Sequence, residues 1–258
     1  TLAALMLADL TLVSDVPEIL GISAAALEAW RPASNAYRPD TRLAYVGPMI
    51  ARLNLPVPAA VRPFLDGSRP TACVVLSSST PAMLRAVGHR VRAAGLRVIV
   101  GATVHDFGRV TDPDIVVAGI LPNHEVLPCV DVAVTMGGQG TVQTCMTSGT
   151  PLVGIPLHAE QELNVDLAAR QGMAIALAPR HAGTDRMTAA VRRIVGDAHF
   201  RTAARRVQQL YAGHDGAQEA AARIIGHLQA QRVTVPAAAA VSRSALAEPV
   251  ASSATLES

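Results

Sequence analysis

From residue 69 onward, short apolar runs of β-forming residues alternate with longer amphipathic or alanine-rich segments. That alternation restricts the chain to βαβ units stacked into a parallel sheet. Strands are expected at 72–77, 96–100, 115–118, 130–135 and 152–155. Helices are expected at 81–94, with Met83, Leu84, Val87 and Val91 turned inward, and at 141–148 and 160–171. Gly95, Gly149 and Gly172 fall where helices end in the left-handed conformation that glycine adopts most easily. Helices at 186–195, 198–211 and 217–229 close the unit, and an open doubly wound α/β sheet is the architecture this order implies.

The remainder of the chain reads differently. Between residues 43 and 68, Pro48, Pro56, Pro58 and Pro63 with Gly47 and Gly67 favour a surface-running linker, which places a domain boundary near Ser68. Residues 231–258 are mostly small residues and serine with two prolines, and they read as a disordered tail. Half of the 258 residues are hydrophobic and 16% are charged, enough for a substantial core. Aromatic residues make up only 3%, so that core must rest on Ala, Val, Leu and Ile.

A net charge of +2, with arginines scattered as pairs such as Arg192 with Arg193, argues against a nucleic-acid partner. Cys73, Cys129 and Cys145 lack paired spacing, which suits reduced core thiols in a cytoplasmic protein. No apolar run approaches the ~20 residues of a transmembrane helix. The opening residues lack the basic start of a signal peptide and an initiator Met, so Thr1 is expected to lie inside a longer polypeptide.

The chemistry concentrates at residues 130–151, VDVAVTMGGQGTVQTCMTSGTP. A buried strand runs into a turn of Gly137, Gly138, Gln139, Gly140 and Thr141, and then into a helix. Glycines at such a junction let backbone approach a ligand closely, and the N–H groups opening a helix point at any anion placed there. The turn is therefore diphosphate-shaped, although strand, glycine turn and helix also occur together for purely structural reasons.

Beyond the turn, spaced elements recur in a recognisable order. Ile120-Leu121-Pro122-Asn123 precedes Met136-Gly137-Gly138-Gln139-Gly140-Thr141, and Gly149-Thr150-Pro151, Pro156, Glu160-Gln161 and Asn164 follow. This series resembles the signature of the UDP-dependent glycosyltransferases over roughly residues 69–228. Residues 9–48 resemble the end of that family's acceptor-binding domain and its linker.

The resemblance implies a two-lobed GT-B fold, of which residues 68–230 would form the Rossmann-like donor-binding domain. Residues 1–67 would be the remnant of the N-terminal lobe with the interdomain linker. It further implies transfer of a sugar from a UDP- or dTDP-linked donor to the hydroxyl of a small-molecule acceptor. The nucleotide sugar is then a co-substrate, with neither cofactor nor metal, and a homo-oligomer is left open.

Carried onto this sequence, Met136 to Thr141 would hold the diphosphate, with Ser78 and Ser79 after the first strand as further candidates beside Ser77. Ile120, Leu121, Asn123 and Thr144 would face base and ribose, and His158, Glu160 and Gln161 the sugar. No catalytic residue is assigned, because the family's base lies in the other lobe.

The sequence also departs from the pattern. Met136 replaces the family's phosphate-donating His, Thr144 its ribose-binding Glu, Ile120 its stacking aromatic and Asn123 its Gln. A thioether cannot supply a charge-assisted hydrogen bond. The departures point to a changed donor preference, or alternatively to a non-catalytic nucleotide-sugar-binding partner protein; an epimerase of the same two-lobed architecture is a third reading. Asp112-Pro113-Asp114 superficially offers a metal-binding pair, but Pro113 ahead of a strand marks a turn. Cys145 lies in a helix without a His partner and is no candidate nucleophile.

Overall fold

The computed structural model describes residues 8–31 and 40–230. A small unit comes first: β1 (Leu10–Val13), α1 (Pro17–Leu20), α2 (Ala24–Ala29) and β2 (Arg42–Tyr45). Its two strands pair in parallel, Leu10 opposite Arg42 through Val13 opposite Tyr45. A linker with one 3-10 turn at Arg62–Leu65 then leads into the main body.

The main body contains β3 (Thr71–Val75), α3 (Pro81–Arg92), β4 (Arg97–Gly101), β5 (Ile115–Ala118), α4 (Asn123–Val126), β6 (Val132–Thr135), α5 (Gln139–Ser148) and β7 (Leu152–Gly154). It continues with α6 (Ala159–Arg170), β8 (Ala174–Ala176), α7 (Asp185–Gly196), α8 (Ala198–Tyr211) and α9 (Gly216–Ala230). Its six strands are all parallel, in the order β5-β4-β3-β6-β7-β8.

Both faces of this sheet are covered, as parallel sheets require. Along β3, Ala72 and Val74 point into one apolar layer with Leu84, Val87 and Val91 of α3 and with Met187 and Val191 of α7. Cys73, between them, points into the opposite layer with Val142, Cys145 and Met146 of α5 and with Val207 and Tyr211 of α8. Val16 and Ile19 of the small unit join that second layer, so the unit is packed onto the sheet body.

Local signals explain the helix limits. Thr80 accepts a hydrogen bond from the Met83 N–H, and Pro81 occupies the first turn of α3, where its missing donor costs nothing. Gly149 ends α5 at φ 68°. Gly95 and Gly172 also take positive φ just after α3 and α6.

Several expectations need correction. The linker stretch includes most of β2, and β1 and β8 were not foreseen; each covers only three or four residues, too short for a period to show. Cys129 is exposed on a 3-10 turn, its thiol donating to the Glu125 carbonyl, and is no core residue. Asp112-Pro113-Asp114 is the turn expected of it: the Asp112 Oδ1 accepts the Asp114 N–H, and Arg92 and Arg69 hold the two carboxylates. The expected tail at 231–258 lies outside the described residues. Among the described residues no helix is long and apolar enough to cross a membrane.

Candidate functional site

The chain leaves β3 toward one edge of the sheet and returns to lay β6 against β3 on the other side. At such a switch point a crevice opens beyond the carboxyl ends of the two strands, because the following loops diverge to opposite faces. Val75 sits opposite Thr135 in register, so the turn of Leu76 to Ser79 and the turn of Met136 to Gly138 leave the sheet side by side. The loop after β7 arrives at the same edge with His158 and Glu160.

The glycines of the turn divide by their surroundings. Gly137 has φ 92°, and a Cβ there would lie 2.6 Å from Val165 Cγ2 and 2.8 Å from the Gln161 carbonyl oxygen. Its glycine is thus demanded by the approach of α6, and its N–H is spent on Thr135 Oγ1 at 3.2 Å. Gly138 and Gly140, by contrast, would each present a Cβ to open space.

Gly138 opens α5 with no side-chain cap. The Thr141 and Val142 amides both turn back to the Gly138 carbonyl, at 3.1 Å each. Among the described residues, the N–H groups of Gly138, Gln139 and Gly140 have no partner within the protein. Gln139 and Gly140 are exposed. Three free amides at a helix N-terminus, where the dipole is positive, are able to donate to an anion.

Other candidates fall less simply. The Met136 side chain is 3% exposed in the first apolar layer, so this residue can offer a ligand only backbone. Leu121 is likewise buried in the second layer, whereas Ile120 before it is exposed. Ser77 and Ser78 are exposed beside the glycine turn, while Ser79 closes its own turn by donating to the Leu76 carbonyl at 2.7 Å. The Thr144 hydroxyl donates to the Gly140 carbonyl at 2.6 Å, leaving only its lone pairs for a ligand.

On α6, Glu160 is exposed and its Oε1 accepts from Asn164 Nδ2 at 2.6 Å. The same Asn164 amide donates to the Gly137 carbonyl at 2.9 Å, which ties the first turn of α6 to the glycine turn. His158 Nδ1 stands 4.0 Å from Glu160 Oε2, both side chains more than half exposed. Gln161 is buried, its Oε1 accepting the Leu157 N–H at 2.8 Å, so it shapes the loop ahead of Glu160. Its role is internal.

A cavity of about 860 Å³ runs along one flank of α5, lined by Thr144, Thr147 and Ser148, by His124, by Tyr211 and by Arg52 of the linker among others. His124 enters because α4 packs against α5. Among the described residues, the buried Asn123 Oδ1 and His124 Nδ1 atoms have no hydrogen-bond partner. Only the packing of α4 reveals the place of His124. The bonds of Asn164 were missed for the same reason, although its position in the signature was visible.

Residues 90–227 match the family profile described as erythromycin biosynthesis protein CIII-like, C-terminal domain. A PGL/p-HBAD biosynthesis glycosyltransferase of Mycobacterium tuberculosis is 26% identical over 204 residues. That alignment takes in 79% of this chain and 44% of the mycobacterial protein, so the chain spans under half the length of that relative. The 4'-demethylrebeccamycin synthase of Lentzea aerocolonigenes is 35% identical over 109 residues, covering 41% of this chain and 25% of the synthase. In fold, the chain superposes on the glycosyltransferase VinC, solved in complex with dTDP, with a TM-score of 0.60 at 20% identity, covering 74% of this chain and 52% of VinC.

Proposed function

This chain belongs to the family of erythromycin biosynthesis protein CIII-like C-terminal domains, and from that premise we propose that it forms the donor side of a glycosyltransferase. The reaction is transfer of a sugar from a nucleoside diphosphate, UDP- or dTDP-linked, to a hydroxyl of a small-molecule acceptor. Residues 68–230 act as the donor-binding domain and residues 1–67 as the end of the acceptor-binding lobe with its linker. No cofactor takes part beyond the nucleotide sugar itself. The buried thiols of Cys73 and Cys145, with burial pushing Cys73 up to about 12, fit a reducing cytoplasmic setting.

The observation that carries this reading is the set of unengaged amides at Gly138, Gln139 and Gly140, which open the helix after β6 beside the switch point. A diphosphate seated there takes its charge compensation from backbone N–H groups and the helix dipole. With Met136 buried, backbone donors replace the side-chain donor usual in the resembling enzymes. Thr141 adds a hydroxyl, and Ser77 and Ser78 approach from the neighbouring strand end.

The nucleoside then lies toward Thr144, Asn123 and the cavity along α5, while Glu160 accepts from sugar hydroxyls. A carboxylate that already holds one amide retains lone pairs for a sugar O–H. The relatives' names favour transfer over a purely auxiliary role.

Calorimetric titration of the protein with UDP, dTDP, GDP and their sugar conjugates tests the proposal. Saturable binding of a uridine or thymidine diphosphate, lost in a Gly138→Val variant of unchanged stability, is the expected result. Failure of every nucleoside diphosphate to bind would end it.

A further inference from the structure

Asp15 comes from the small N-terminal unit, yet it sits against the helix that opens at the glycine turn. Its Oδ1 accepts from the Tyr211 hydroxyl at 2.6 Å and from the Val16 N–H at 2.8 Å. Its backbone carbonyl accepts the Gly47 N–H at 3.1 Å, which joins the end of β1 to the turn after β2. The preceding residue is held from the other side, since Gln143 Nε2 of α5 donates to the Ser14 carbonyl and Ser14 Oγ accepts the Met49 N–H at 3.2 Å.

The surroundings of Asp15 lead directly to the candidate site. A cavity of about 20 Å³, room for one water molecule, is lined by Asp15, Gln139, Gln143 and Asn164 among others. Gln139 belongs to the glycine turn, and Asn164 holds the Gly137 carbonyl and Glu160. The segment after β2 is fixed just as closely: a Cβ on Gly216 would lie 2.2 Å from the Pro48 carbonyl oxygen, and one on Gly47 would lie 3.0 Å from His214 Cβ. The chain's passage out of the small unit and its return at α9 are therefore in backbone contact.

We infer that Asp15 is a positioning residue. Through Tyr211 and α5 it fixes the acceptor-side unit in one register against the diphosphate cradle, so that donor binding at the glycine turn stiffens the joint between the two parts. The inference rests on the donor-site reading above. The direct ligand contacts belong to the turn, and Asp15 acts through α5 and Tyr211 alone. Burial pushes the Asp15 carboxyl above the usual carboxylate range against the lowering pull of its two hydrogen bonds, as expected of an acid sealed into a joint.

Hydrogen exchange with dTDP and UDP as probes tests this on the intact protein and on Tyr211→Phe and Asp15→Asn variants. Bound nucleotide should slow exchange at residues 136–144 and, by a coupling of at least about fivefold, at residues 13–16 and 46–47. In Tyr211→Phe the slowing at the glycine turn should persist while that at the joint disappears. Asp15→Asn keeps an acceptor oxygen for the Tyr211 hydroxyl and should restore the pattern of the parent protein.

Slowing at the glycine turn with none at the joint of the parent protein overturns the inference and spares the donor-site reading. A joint that responds equally in Tyr211→Phe overturns it as well, because the hydrogen bond then transmits nothing. Absence of slowing anywhere, with no binding of either nucleotide, removes the donor-site reading and this inference together.

Discussion

A methyl group added at Gly137 and one added at Gly140 meet opposite fates, although the positions belong to the same turn. At Gly137 it collides with Val165 and the Gln161 carbonyl and sits on backbone of φ 92°. Gly137→Ala should therefore cost about 1–3 kcal/mol from the backbone conformation alone, before the collision is counted. At Gly140 the methyl meets nothing within 4 Å and replaces a poor helix former. Gly140→Ala should hold or raise thermal stability, by up to about 1 kcal/mol, while weakening nucleoside diphosphate binding. Thermal melts paired with calorimetry separate the two, and a Gly140→Ala protein that binds as well as its parent would remove the need for close backbone approach there. The turn itself was legible in the sequence, since glycine after an apolar strand has few explanations. Which glycine serves the fold and which the ligand was not, because that depends on how α6 packs. The burial of Leu121 and the internal bond of Thr144 were hidden for the same reason: one-dimensional pattern places a residue on an element but does not say which way its side chain turns.

Elements with a long apolar period were readable, and short ones were not. The stripe of Leu84, Val87 and Val91 marks α3 directly, and Ala198–Tyr211 emerges with the bounds the sequence suggested. The strands β1, β2 and β8 each depend on pairing with a partner that sequence alone does not specify. The same holds for the bond that matters most between elements, the one from Asn164 of α6 to the Gly137 carbonyl. Since Asn164 also holds Glu160, it aligns the start of α6 with the glycine turn. Asn164→Ala should lower stability by only about 1 kcal/mol, the ordinary net value of such a bond. Its effect on the site should be larger: Glu160 loses its fixed orientation, and affinity for a nucleotide sugar should fall while affinity for the bare nucleoside diphosphate changes little. Comparing dTDP with a dTDP-sugar by calorimetry checks this. An equal loss for both ligands would show that Asn164 serves the turn and not the sugar.

At the scale of the whole molecule, the linker joins the small unit to the sheet body, and beside the apolar packing of Val61 its attachment has an electrostatic part. Arg97, at the start of β4, is almost fully buried and donates to the Pro63 and Phe64 carbonyls, to Thr71 Oγ1 and to Asp66 Oδ1 at 2.7 Å. The Arg97 guanidinium and the Ser68 N–H and hydroxyl hold the Asp66 carboxyl far below the usual carboxylate range of 3.8. A carboxyl whose folded pKa is depressed stabilises the folded state above its unfolded pKa, and that contribution fades as pH falls toward the folded value. Stability from Asp66 is thus complete at neutral pH and drains away below about pH 4. Asp15 has the opposite sign: its raised pKa makes the charged form a burden in the folded state as pH rises through the folded value, so Asp15→Asn should not destabilise at neutral pH. The test compares thermal midpoints of the parent and Asp66→Asn from pH 7 down to about pH 3. The parent should be the more stable at neutral pH, with the gap closing as acid protonates the carboxylate. A gap that stays constant over that range would mean that Arg97 holds the linker through the backbone carbonyls alone, and that the charge of Asp66 contributes nothing to the junction.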